Sequence, residues 1–281
     1  MNPVPAGPSE VEVDRLGLYL YCIAESASLP AVNGVLEHAP EGVDLCHPVT
    51  RLSVGGVSAV VGQVLVAEFS EHNLQDLSWL GARASRHEGV VAWTMAASPV
   101  LPVKFGTIFS SRESLIAFLA RHRGDIAQAL DRLRGKVEWS VKGYLDEQQA
   151  RACFAARDPE IQARLAALPA SPGARYLLQK RLDTMMDAAL EAGLELASAE
   201  IGQALVAHAE ASAGLRCHSN AVTGRAQRMV FNASFLLAPE NLAEFQTALA
   251  EQQQEGEAIG LAFELKGPWP PYNFCPPLAQ G

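Results

Sequence analysis

The sequence predicts an α+β protein with two domains. At 281 residues and 49% apolar content, the chain can bury one large core or two ordinary ones. In each half, short runs with period-two alternation are interleaved with longer runs of helical spacing. From Lys136 onward those runs come in the order β-α-β-β-α-β, the ferredoxin-like arrangement, with a long helical insertion in the first crossover. The N-terminal half resembles a looser version of the same pattern. Both halves are expected to be antiparallel sheets with helices on one face. The predicted boundaries are a mobile N-terminal tail over 1–14, an N-terminal α+β domain over 15–135 and the ferredoxin-like domain over 136–281.

Within the first domain, Leu16, Leu18, Leu20 and Cys22 alternate with Gly17, Tyr19 and Tyr21, which predicts a strand with one buried face. A Pro- and Gly-rich loop follows to about His47. Val49–Val54 and Val57–Val64 flank Gly55-Gly56, the chemistry of a tight hairpin turn. The stretch from Glu71 to about Ala97 reads as a helix stopped by Pro99. Leu101–Gly106 reads as a short edge strand because Pro102 is tolerated there. Leu115, Ile116, Leu119, Ile126 and Leu130 predict one helix from about Ser111 to Leu133.

In the second domain, Val137, Trp139, Val141 and Leu145 define a strand. A helical hairpin occupies about 147–213, interrupted at Asp158-Pro159 and at Pro169–Pro172. Ser171-Pro172 is a suitable N-cap and first helical position for its long second arm. Along that arm Leu178, Leu182, Met185, Ala189, Ala192 and Leu196 step by four and three, predicting a heptad seam. Strands are expected at Leu215–Val222 and Met229–Leu237, then a helix from Pro239 to about Gln254. A last strand, Leu261 to Leu265, leads into Gly267-Pro268-Trp269-Pro270-Pro271-Tyr272-Asn273-Phe274. Three prolines and three aromatics in those eight residues rule out a helix or a central strand, because proline lacks a donor and fixes φ.

Composition excludes several classes of function. A net charge of −9 with no polybasic run disfavours nucleic acid and anionic membrane surfaces. The longest apolar stretch, Gly89–Val103, is too short for a membrane span and contains two prolines. Five scattered cysteines, without a CxxC pair, and an N-terminus without a basic or apolar leader region point to the cytoplasm.

Catalytic signatures fail on spacing. His87-Glu88 opens like a zinc-protease helix, but Val91 stands where the second ligand belongs. Cys46-His47 and Cys217-His218 are neighbours that would point to opposite faces of a strand, so small core cysteines beside surface histidines are the expectation. Gly56-Val57-Ser58-Ala59 lacks a nucleophile elbow's second glycine. Gly55-Gly56 has no following helix to cradle a phosphate. No catalytic, cofactor-binding or metal-ligating residue is predicted. Two features remain as structural or interaction candidates. One is Lys104, a cation in an apolar segment, expected to snorkel or pair with a carboxylate. The other is the terminal segment with Trp269, Pro270, Pro271, Tyr272 and Phe274, read first as a lid over the C-terminal sheet and second as a recognition surface.

The run Gly267–Phe274 after strand Leu261–Lys266 resembles the C-terminal signature of the gas vesicle protein F/L family. Weaker blocks occur in the expected order: Leu18–Ile23, His87-Glu88, Val100–Thr107, Gly173–Leu177 and Asn232–Leu236. The resemblance covers nearly the whole chain. It implies an accessory or minor structural protein of gas vesicles, the gas-filled protein shells that give cells buoyancy. It further implies contacts with the apolar major shell protein and with other accessory proteins, no catalytic residues, and a cytoplasmic location in association with the vesicle. Asn273 stands where serine is common in the family. On physical grounds such a partner would cover exposed apolar faces or strand edges of the shell subunit, limiting aggregation or aiding nucleation. Two other readings are a small-molecule-binding regulatory protein, with its ligand between two ferredoxin-like domains, and a cleft enzyme of unknown reaction.

Overall fold

A computed structural model describes residues 15–278. The tail expected over 1–14 lies outside the described residues. The chain divides into two compact units. The first is formed by residues up to Lys136 together with Trp269 onward, and the second by Val137–Pro268.

The first unit is built on an antiparallel sheet. Its strands are β1 (Leu16–Glu25), β2 (Ala31–Val32), β3 (Val35–Leu36), β4 (Thr50–Val54) and β5 (Val57–Leu65). Helices α1 (Glu71–Gln75) and α2 (Leu77–Ala97) follow, then β6 (Val100–Pro102), β7 (Ile108–Phe109), α3 (Arg112–Arg121) and α4 (Arg123–Leu133). The strand order is β2-β3-β4-β5-β1-β6, with β7 also paired to β1. The β4–β5 hairpin turns on Gly55 and Gly56, both at positive φ (56° and 93°), which only glycine adopts freely.

Tyr19 to Ala24 are six consecutive buried residues in β1, so this strand is covered on both faces rather than on the one that was expected. Tyr19, Tyr21, Val60 and Val64 pack with Val90 and Val91 of α2. Helices α3 and α4 contact β1, β4, β5 and β6. The two single helices predicted from periodicity are each divided. Asp76 caps α2 by accepting from the Ser78 and Trp79 amides, and His122 separates α3 from α4. Proline confines β6 to three residues, and the expected strand through Gly106 turns away after Pro102.

The second unit contains β8 (Val137–Leu145), α5 (Glu147–Arg157), α6 (Pro159–Ala166), α7 (Pro172–Val206), β9 (Ala211–Gly214) and α8 (Asn220–Thr223). It continues with β10 (Arg228–Leu237), α9 (Leu242–Glu257) and β11 (Leu261–Trp269). Its sheet has the order β11-β8-β10-β9, and β10 runs antiparallel to both β8 and β9. Val141, Phe231, Ala233, Phe235 and Leu237 meet Ala150, Leu190, Leu194, Ile201, Leu205, Phe245 and Leu249 in one core, which places α5, α7 and α9 on a single face.

Three sequence expectations change in this unit. The long helix ends at Val206, and Ala211–Gly214 forms the edge strand, with no strand at 215–222. The seam of α7 is also rephased. Leu182 is buried as predicted, but the core then continues through Leu190, Leu194, Ile201 and Leu205, whereas Leu178 and Leu196 are exposed. The final strand, moreover, extends through Pro268 to Trp269, possible because β11 lies at the sheet edge. Gly267 is required there by close approach: a Cβ would meet the Glu138 carbonyl at 2.9 Å and the Trp139 ring at 2.8 Å.

Candidate functional site

Beyond β11 the chain leaves the second unit and packs on the first. Pro271 leads into a single tight turn, Tyr272–Phe274, in which the Tyr272 amide donates to the Pro270 carbonyl (2.8 Å) and the Phe274 amide to that of Pro271 (3.1 Å). Prolines at both preceding positions leave few other conformations. Pro270, Pro271 and Phe274 are buried. The Phe274 carbonyl accepts from Arg132 Nη2 of α4 at 2.7 Å. The Cys275 thiol donates to the Pro271 carbonyl at 3.2 Å. The lid reading therefore needs correction. Tyr272 and Phe274 close on the first unit, not on the C-terminal sheet, because their polar partners are on α2 and α4.

The centre of the contact is a relay of polar groups. The Gly106 amide donates to Tyr19 Oη (3.2 Å), and Tyr19 Oη lies 2.8 Å from His87 Nδ1. His87 Nε2 lies 3.1 Å from Tyr272 Oη, which donates to Glu88 Oε1 at 2.6 Å. The neutral imidazole with its proton on Nε2 satisfies every member: each hydroxyl then accepts one hydrogen bond and donates one. Burial pushes the His87 imidazole down to about 4, so it stays uncharged. Burial, then the Glu88 carboxylate, raises the Tyr272 hydroxyl far above its ordinary range. Around the relay stand aromatic rings, with Tyr19 centred 4.9 Å from Tyr21, 5.5 Å from Phe69 and 5.9 Å from Phe105. Its groups hold one another in place, and the arrangement acts as a clasp.

Beside the clasp is a cavity of about 500 Å³ whose lining includes Ile23, Pro102, Lys104, Tyr272, Cys275 and Pro276. Lys104 is exposed, in the turn after β6 rather than on a half-buried strand, and its carbonyl accepts from Thr107 Oγ1 at 2.7 Å. The structure thus brings Lys104 and Tyr272 to one cavity. Trp269 ends β11 and is 46% exposed, whereas Tyr272 is half-buried.

Sequence reading missed Tyr19, His87, Glu88 and Arg132 as partners of this segment. The available signal was the spacing of His87 with Val90, Val91 and Thr94, one buried face of α2. Cys46 and Cys217, expected in cores, are exposed. Cys46 lies in a turn where Asp44 accepts from its amide (2.7 Å) and meets His47 Nδ1 (2.8 Å). Among the described residues no group of three or more His, Cys, Asp or Glu could hold a metal ion. Nor, among them, is any helix long and apolar enough to cross a membrane.

Fold and clasp define a class: a two-sheet, mixed α and β protein whose C-terminal aromatic–proline segment is bound by its first unit. The chain belongs to the gas vesicle synthesis protein GvpL/GvpF family, whose model matches residues 17–276. Gas vesicle protein L of Streptomyces sp. (strain CB03234) is 27% identical over 272 residues, covering 94% of each chain. Gas vesicle protein F of the same strain is 27% identical over 262 residues, covering 92% of this chain and 99% of that one. The crystal structure of GvpF from Anabaena sp. PCC7120 shares the fold, with a TM-score of 0.66 at 18% identity, covering 93% of this chain and 96% of that one.

Proposed function

We propose that this protein is a gas vesicle accessory or minor structural protein that binds the major shell protein and other accessory proteins. In that role it supports shell assembly or nucleation and limits aggregation, in the cytoplasm and in association with the vesicle. The observation that carries this reading is the family match from residue 17 to residue 276, which takes in both units and the whole aromatic–proline segment.

Physical features support it. The second unit's strand order, read in chain order as 4-1-3-2, favours a ferredoxin-like sheet. It leaves the short β9 and the Pro-ended β11 at the edges, where an extended segment of a partner can add. Trp269 combines half exposure with a rigid setting between Pro268 and Pro270, so it contacts a partner at little cost in conformational entropy. Lys104 and Tyr272 line the cavity of the first unit, and the buried Pro270, Pro271 and Phe274 hold the segment that carries Trp269.

Co-expression of the tagged chain with the shell protein and the remaining accessory proteins, followed by pull-down, tests this function. Recovery of the shell protein, weakened by Trp269→Ala, is the expected result. Failure to associate in every accessory-protein background would reject it.

A further inference from the structure

The first turns of α7 stand outside the core of the second unit. Tyr176, Leu177 and Leu178 are 67%, 65% and 42% exposed, and the buried residues of α7 begin only at Leu182. Where α6 ends against α7, a groove of about 120 Å³ is lined by Leu168, Leu178, Leu182 and Met185, with Arg164 and Arg181 beside them. That is room for one large apolar side chain, given that a cavity of roughly 150 Å³ takes a benzene ring.

The stretch from Ile161 to Leu182, bounded by Glu160 and Asp183, has Arg164, Arg175, Lys180 and Arg181 and no Asp or Glu. Arg164 pairs with Glu160 at 2.7 Å, while Arg175, Lys180 and Arg181 are exposed beside the apolar residues.

We propose that this tip is a docking site for an acidic amphipathic segment of another protein. One large apolar side chain seats in the groove, and flanking carboxylates meet Arg181 and Arg175. Complementary charge sets the partner's sign, and the groove sets what it must insert. A bilayer fits the site less well, since a concave groove sized for a single side chain offers no broad apolar face. The acidic helix α9 of a second copy of this chain does not supply such a segment. That helix already buries its apolar residues Phe245, Ala248 and Leu249 in its own core, so it has none to insert. This inference stands apart from the shell-protein reading, because it rests on the α6–α7 tip and not on the C-terminal segment.

The test uses the intact chain and a labelled synthetic peptide of roughly 16 residues, with leucines at helical spacing on one face and glutamates elsewhere. Its control carries lysine for every glutamate. Fluorescence anisotropy should show binding of the glutamate peptide alone, weakening about tenfold or more at high salt. A similar loss is expected in the Arg175→Glu/Arg181→Glu double variant and in Leu178→Asp, with melting unchanged. Should Leu178→Asp lose its circular-dichroism signature, the double variant and Tyr176→Asp carry the measurement. Binding of both peptides, binding indifferent to these variants, or no binding overturns the proposal. So does co-sedimentation with phosphatidylserine vesicles, or self-association in sedimentation, that the same variants abolish.

Discussion

The Tyr272 hydroxyl donates to Glu88 at 2.6 Å, joining residues 184 positions apart in the sequence. The same oxygen lies 3.1 Å from His87, so one phenol holds the C-terminal segment to two successive residues of α2. Tyr272→Phe keeps the ring and removes both bonds, leaving the buried His87 Nε2 and the half-buried Glu88 carboxylate without this partner. The expected cost is about 1–3 kcal/mol. Hydrogen exchange followed by mass spectrometry should show the lost protection in peptides from 15–136, with peptides from 140–260 unaffected. Loss in the second set instead would restore the lid reading.

Trp269→Ala is expected to behave differently from Tyr272→Phe. Trp269 is 46% exposed, whereas Pro270 and Phe274 are buried. Its truncation should therefore cost about 1–2 kcal/mol, less than the roughly 3–5 kcal/mol of a fully buried aromatic. Denaturant melts of the variant beside pull-down with the shell protein separate the two roles: a stability loss as large as that of Phe274→Ala would make Trp269 an anchor.

Acid should loosen the first unit. The His87 imidazole is neutral when folded, with its pKa pushed from 6.5 to about 4 by burial. The unfolded chain therefore takes up the proton first. The stabilisation is complete above about pH 6.5 and is lost as the pH falls toward 4, by roughly 3 kcal/mol over that interval. Urea midpoints measured from pH 7.5 to 4 should show this slope, and His87→Gln, which does not titrate, should flatten it.

Gly267→Ala probes the crossing out of the second unit. The added methyl would lie 2.9 Å from the Glu138 carbonyl and 2.8 Å from the Trp139 ring. Backbone on one side and a large ring on the other leave little room to yield, so a loss of about 1–3 kcal/mol is expected. Exchange protection should fall along β8 and β11.

The sequence showed clearly whatever local chemistry decides. Gly55-Gly56 marked its hairpin, Asp158-Pro159 marked the break between α5 and α6, and the alternation in Val137–Leu145 marked β8. Less visible were elements decided by distant partners. Ala211–Gly214 has no β-branched residue, and it becomes a strand only by pairing with Ala233–Leu236. The seam of α7 was misphased because Leu178 and Leu196 are apolar and yet exposed, so periodicity alone did not identify the buried stripe. In the site, the stiffness and aromatic content of Gly267–Phe274 were legible, and so was Lys104 as an outlier. Its docking partner was not, because nothing in Tyr272 or its neighbours encodes an attachment to His87 and Glu88.

The clasp also fixes the order in which a nascent chain can be completed. The first unit's sheet precedes the second unit in the chain, but it lacks residues from Trp269 onward until Val137–Pro268 has been synthesised. Val137–Pro268, by contrast, is contiguous and can fold as soon as it has emerged. Of the two, the unit begun earlier is therefore completed later. A product truncated before Tyr272 would keep a foldable second unit and lose the fastening of its first.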